Sequence, residues 1–241
     1  MAEAIRLGML TPSSNTVLEP ATYGLLAGVP HVTAHFQRLR VLSISLEGGS
    51  TGQFDAAPMV AAAEMLADAK VHAICWNGTS GAWLGLEVDR ALCEAVAART
   101  GVPATTATLA LMDALRRLGA RRYGLVTPYL AEVQAAIVAR WAAEGLECAA
   151  ERHLDDPGNF SFAEHDEATV SRMVREAAAG RPDAVVVHCT NFRGGAVAPA
   201  LEAELGLPVL DSVSVALWGA VRAAGGDPAP LAARWGRVFA L

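Results

Sequence analysis

One stretch occurs twice in this chain. Ala73-Ile74-Cys75-Trp76-Asn77-Gly78-Thr79-Ser80-Gly81 aligns with Ala184-Val185-Val186-Val187-His188-Cys189-Thr190-Asn191-Phe192, Ala73 falling on Ala184 and Thr79 on Thr190. The second copy is an apolar run that ends in a thiol, two small polar groups and, at Gly194-Gly195, paired glycines. A run of this kind suits a strand buried on both faces of a parallel sheet. Its tip would then open into the crevice at the carboxyl edge, where open α/β sheets place their ligands. The two copies differ at the tip itself: Cys189 in one corresponds to Gly78 in the other.

Two further matches occur in the same order. Arg6-Leu7-Gly8-Met9-Leu10-Thr11-Pro12 returns as Arg122-Tyr123-Gly124-Leu125-Val126-Thr127-Pro128, and Gly101-Val102-Pro103 returns as Gly206-Leu207-Pro208. Strand-like runs at 5–10, 31–42, 71–76 and 104–106 alternate with helical spacing at 17–26, 56–69, 86–99 and 109–118. The second half repeats the pattern, with strands near 122–126, 146–152, 184–187 and 209–212 and helices at 130–144, 167–179 and 215–224. Such alternation implies parallel sheets joined by right-handed crossovers. The expected fold is α/β: two pseudo-symmetric, flavodoxin-like half-domains facing each other across a central cleft. Residues 1–107 with 213–241 are assigned to the first half-domain and 108–212 to the second. Residues 46–54, with Gly48-Gly49 and Gly52, are expected to form a loop over the cleft.

A chain of 241 residues, 53% of them hydrophobic, can bury one sizeable core or two small ones. A formal charge of −6 and the absence of basic clusters interleaved with aromatics argue against a nucleic-acid surface. No apolar run reaches the roughly 20 residues that span a bilayer, and Glu3 in the first residues does not suit a signal peptide. Four cysteines, none in C-x-x-C spacing, fit reduced thiols in a cytoplasmic protein. A symmetric homo-oligomer is the default for such a chain.

Pseudo-symmetry places Gly78 and Cys189 on opposite sides of anything bound in the cleft. Two thiols so placed could remove a proton from one face of a carbon and return it to the other. One thiol can serve one face only. That suits a reaction that makes its own carbanion, such as loss of carbon dioxide from a malonate-type diacid. Charge then develops on carboxylate oxygens and calls for preorganised donors. Hydroxyls of Thr79, Ser80, Thr190 and Tyr129, and backbone N–H groups around Gly78 and Thr190, are the candidates. Gly78→Cys is expected to create racemase activity.

Other readings carry less. Cys75, Cys93 and Cys148 suit packing, since free cysteine is among the most buried residue types. His188 suits a structural role, and His31 and His35 lack a third metal ligand. Gly78-Thr79-Ser80-Gly81 misses the G-x-S-x-G elbow, and neither G-x-G-x-x-G nor a P-loop occurs.

Thr11-Pro12-Ser13-Ser14-Asn15-Thr16, Gly78-Thr79-Ser80, Thr127-Pro128-Tyr129 and Cys189-Thr190-Asn191 together resemble the aspartate/glutamate racemase superfamily, in its maleate isomerase and arylmalonate decarboxylase branch. The resemblance to the decarboxylases implies a cofactor-free, metal-free enzyme acting on a small dicarboxylate. Thr79, Ser80 and Tyr129 would hold an enediolate, and Cys189 would donate the proton. Pro12-Ser13-Ser14-Asn15-Thr16 and Cys189-Thr190-Asn191 are similar to the maleate isomerases, and that likeness implies Asn15 as a carboxylate ligand. Those isomerases carry a nucleophilic cysteine where this chain has Gly78; the decarboxylases carry glycine where it has Thr190. Decarboxylation is the favoured expectation, cis–trans isomerisation or racemisation of a small diacid the alternative, and a non-catalytic diacid-binding protein the third.

Overall fold

A computed structural model describes residues 3–44, 46 and 55–241. Most of the loop expected at 46–54 lies outside the described residues. Among the described residues eight strands form two parallel sheets: β1 (Ile5–Pro12), β2 (Val32–Leu39), β3 (Ala73–Trp76) and β4 (Ala104–Thr106), then β5 (Arg122–Val126), β6 (Glu147–Arg152), β7 (Ala184–Val187) and β8 (Val209–Asp211). The strand orders are β2-β1-β3-β4 and β6-β5-β7-β8, the same topology twice. The crossovers are α1 (Leu18–Leu26), α2 (Ala56–Asp68), α3 (Gly81–Leu84) with α4 (Leu86–Thr100), α6 (Ala131–Ala143), α7 (Glu167–Ala178) and α8 (Gly194–Leu205); α5 (Ala107–Leu118) links the sheets, and α9 (Ser212–Ala223) and α10 (Ala232–Trp235) close the chain.

The sequence repeats have physical reasons. Gly101 and Gly206 end α4 and α8 in the left-handed conformation, with φ of +70° and +72°, where a side chain would be strained. The prolines that follow lack an N–H but keep a carbonyl, and Pro103 and Pro208 accept from Ile74 and Val185 at 2.9 Å. Gly8 and Gly124, in the central strands, let α2 and α7 approach: a Cβ there would sit 3.3 Å from Leu66 and 3.2 Å from Ala177.

Of the inner strands, β3 and β7 are buried along their whole length, as their apolar runs require. The edge strand β6 is only partly covered. α9 is buried over residues 212–221 and returns the chain to the first sheet, packing on β3, β4 and α5. Gly219 permits this, because a Cβ there would lie 2.5 Å from that of Ala110. Among the described residues no helix is long and apolar enough to cross a membrane.

Three helices go beyond the sequence reading: α3, α8 and the short α10. α8 opens on Gly194-Gly195 and contains Pro199, and α3 is a single turn between two glycines. Weak helix formers at these positions remove the usual signal.

Candidate active site

The carboxyl ends of β1, β3, β5 and β7 converge, and side chains from the two halves join there. Thr79 Oγ1 and the Tyr129 hydroxyl are 2.6 Å apart. The Thr190 hydroxyl donates to the Asn77 carbonyl at 2.7 Å and accepts from Asn15 Nδ2 at 3.1 Å. Asn191 Oδ1 accepts from the Thr16 and Val17 N–H groups at 2.9 and 3.2 Å, and its Nδ2 donates to the Asn159 carbonyl. Asn15 Oδ1 accepts from Val17 and Leu18, which caps α1. Above these tips an isolated antiparallel bridge joins Ser43 to Gly158, and Asn159 Nδ2 donates to Ser14 Oγ at 2.7 Å.

Cys189 lies just beyond the end of β7, 3% exposed. The Asn191 N–H points to its Sγ at 3.4 Å. Burial pushes the thiol up to about 12, against the opposing pull of the neighbouring Tyr129 hydroxyl and Asn191 N–H. At neutral pH it is therefore a thiol. Burial, with the Cys189 sulfur close by, likewise holds the Tyr129 phenol well above its ordinary value, so it stays an O–H donor. Tyr129 packs edge-on against Trp83 and Phe162, with ring centroids 5.4 and 5.5 Å away.

Cys189, Tyr129, Thr79, Gly78 and Thr190 share a small cavity. Its apolar side is Val41, Ile44 and Trp83, and Asn159 adds an amide. About 20 Å³ is open to a water-sized sphere, room for about one water, so a diacid enters only if the cavity widens. Larger surface grooves, of about 290 Å³ beside Arg90 and Met112 and 680 Å³ beside Phe160 and Glu164, do not reach Cys189. The small cavity is the candidate because the thiol, the hydroxyls and unspent backbone donors meet there. The N–H groups of Gly78, Thr79, Ser80, Cys189 and Thr190 donate to no backbone carbonyl among the described residues.

Two residues expected at the site stand outside the cavity lining. Ser80 is buried with its Oγ 3.5 Å from the Trp76 indole N–H, and Asn15 is occupied with α1 and Thr190. The Thr190 hydroxyl lines the cavity, but its proton is committed to the Asn77 carbonyl. It positions the tips, and its backbone N–H is the available donor. Thr79 does not cap α3; its hydroxyl is spent on Tyr129. Asn159 was not singled out from sequence, where it sits in an irregular loop with no spacing signal.

His188 is fully buried, edge-on to Trp141 at 5.1 Å, and burial lowers it to about 3. It stays neutral and cannot shuttle protons near pH 7. Cys75 Sγ is directed to the Ala216 carbonyl of α9 at 3.9 Å, and burial raises its thiol as well.

Comparison with known proteins gives a consistent set. A family profile described as arylmalonate decarboxylase matches residues 17–239. Arylmalonate decarboxylase of Bordetella bronchiseptica is 34% identical over 157 residues, 64% of this chain and 65% of that protein, just under two thirds of its length. Maleate isomerase of Pseudomonas putida is 27% identical over 240 residues, 95% of each chain. Among solved structures, a double mutant of arylmalonate decarboxylase in its liganded form superposes with a TM-score of 0.82 at 28% identity, covering 92% of this chain and 94% of that one. A mutant of Nocardia farcinica maleate cis–trans isomerase with a covalently bound succinylcysteine intermediate gives 0.86 at 25% identity, covering 98% of both.

Proposed function

Because this chain belongs to the arylmalonate decarboxylase family, whose relatives include both decarboxylases and maleate isomerases, we propose that it is a cofactor-independent decarboxylase of substituted malonates. The observation that carries this reading is a single protonated thiol in the cavity, with glycine at the pseudo-symmetric position. In the proposed reaction one carboxylate of the malonate leaves as carbon dioxide. Its bonding electrons pass into the other carboxyl group, giving an enediolate. Cys189 S–H then protonates the carbon from one face, and the resulting thiolate regains a proton from solvent.

The enediolate oxygens are held by the Tyr129 and Thr79 hydroxyl pair and by the free N–H groups of the Gly78–Ser80 turn. Donors already aimed where charge develops need no reorganisation during the reaction, and this is usually the largest catalytic contribution. The apolar wall of Val41, Ile44 and Trp83 suits the substrate's aryl or alkyl group. Because the thiol starts protonated, it is prepared to act as an acid at neutral pH.

The maleate isomerase reading is favoured by the match along nearly the whole chain and by the Asn15 and Asn191 signature. It needs a nucleophilic thiolate where this chain has Gly78, and burial opposes ionisation of Cys189 in its stead. Carbon dioxide release from phenylmalonate, set beside fumarate formation from maleate, separates the readings. The expected result is carbon dioxide release that falls about 10²–10⁴-fold in Cys189→Ala, the usual worth of a positioned proton donor. Fumarate formation without carbon dioxide release would replace this reading with the isomerase, and binding without turnover of either compound would remove it.

A further inference from the structure

Gly78 is not required by its backbone, since its φ is not among the positive values. It is required by Trp76. A Cβ built on Gly78 would meet the Trp76 indole, with Nε1 at 2.7 Å and Cε2 and Cζ2 closer still. Real Cβ atoms essentially never come within 3.0 Å of a neighbour. The indole cannot easily withdraw: Trp76 is 1% exposed, among the largest fully buried side chains, and its N–H faces Ser80 Oγ. Close-packed interiors leave no room for such a ring to swing aside.

We propose that Trp76 is the specificity-determining residue that keeps this site one-sided. Its indole fills the volume that any side chain at position 78 needs, so a second thiol cannot enter by the single change Gly78→Cys. This rests on the decarboxylase reading for its catalytic meaning, and it revises the expectation that Gly78→Cys alone creates a racemase. In a two-thiol site, a thiolate at position 78 would take the α-proton of a 2-aryl acid, leaving an enediolate and a thiol. Cys189 S–H would protonate the other face and become the thiolate, so the acid inverts with no net gain or loss of protons. Trp76 and Gly78 must therefore change together.

The test uses the full chain in two readouts. Thermal melting of Gly78→Ala, Trp76→Leu and the double variant needs no turnover. Gly78→Ala is expected to lower Tm by about 2–12 °C, from the usual cost of overpacking, and to cost nothing further once Trp76 is Leu. Trp76→Phe, which trims the indole more gently, serves the same comparison where Leu does not fold. In deuterated water, Trp76→Leu/Gly78→Cys is expected to racemise enantiopure 2-phenylpropionate at least about tenfold faster than Gly78→Cys, a difference near 1.4 kcal/mol in barrier. A Gly78→Ala variant that melts with the parent, additive losses in the double variant, or equal racemisation with and without Trp76 would overturn the proposal. Coupled melting without racemisation in any variant upholds the pairing of Trp76 with Gly78 and counts against the malonate reading instead.

Discussion

Tyr129→Phe removes one oxygen and leaves the ring in place. The phenyl ring keeps its edge-on contacts with Trp83 and Phe162, so no cavity opens and the core is not reshaped. What is lost is the 2.6 Å bond to Thr79 Oγ1 and the donor beside Cys189. Two costs follow, and they are separable. Thr79 is 5% exposed, and a buried hydroxyl without its partner costs about 1–3 kcal/mol of stability. For a chain of this length that is a Tm loss of about 2–12 °C. The catalytic cost is larger: removing one preorganised donor from a developing oxyanion costs about 10²–10³-fold in kcat. Cys189 also loses a bond that favours its thiolate, so the thiol stays protonated but gives up its proton less readily, which adds to the loss. Steady-state decarboxylation of phenylmalonate at a temperature well below the variant's Tm is the assay. The expected signature is a kcat two to three orders of magnitude lower with KM changed far less. A kcat within about threefold of the parent would refute the oxyanion role of Tyr129.

Two other outcomes follow from buried groups. Thr190→Val strands both the Asn77 carbonyl and Asn15 Nδ2, and is expected to lower unfolding free energy by about 2–4 kcal/mol in urea titrations; Thr190→Ser should recover most of it, and an unchanged midpoint for Val would contradict the bridging role. Asp89 is buried against Thr106, which donates to it at 2.5 Å, and burial raises its carboxyl from 3.8 to about 6. Its folded-state value lies above the unfolded one, so its contribution is fully present below about pH 4 and is lost as pH rises to about 6. At about 1.4 kcal/mol per pH unit, the stability of the parent relative to Asp89→Asn should fall by about 3 kcal/mol across that window, and a pH-independent difference would show that Asp89 does not titrate there.

The legible parts of this molecule were those with a local cause. The β7 run of four apolar residues could only be a doubly buried strand, and Gly101 and Gly206 mark helix ends because the left-handed turn favours glycine there. The candidate site was legible as far as the duplication reached, through Gly78, Thr79 and Cys189. Ser80 and Asn15 share motifs with these residues, yet Ser80 Oγ accepts from the Trp76 indole and Asn15 Oδ1 from the α1 N-terminus, uses that depend on tertiary neighbours. Asn159 was invisible because its place in the cavity lining comes from its bonds to Ser14 and Asn191 and from no periodicity. The reason for Gly78 was hidden too: residues two apart in an extended chain do not normally compete for one volume, and they do so here only because the indole folds back over the turn.

The threads that bind the two sheets run through the same handful of side chains that surround the thiol. Asn15 to Thr190, Thr190 to Asn77 and Asn191 to the start of α1 cross from one half of the chain to the other around the candidate site. Neither copy, cut away and produced alone, would retain the partners its tip residues need. A substitution at these tips therefore loosens the seam between the halves at the same time as it alters the lining of the cavity.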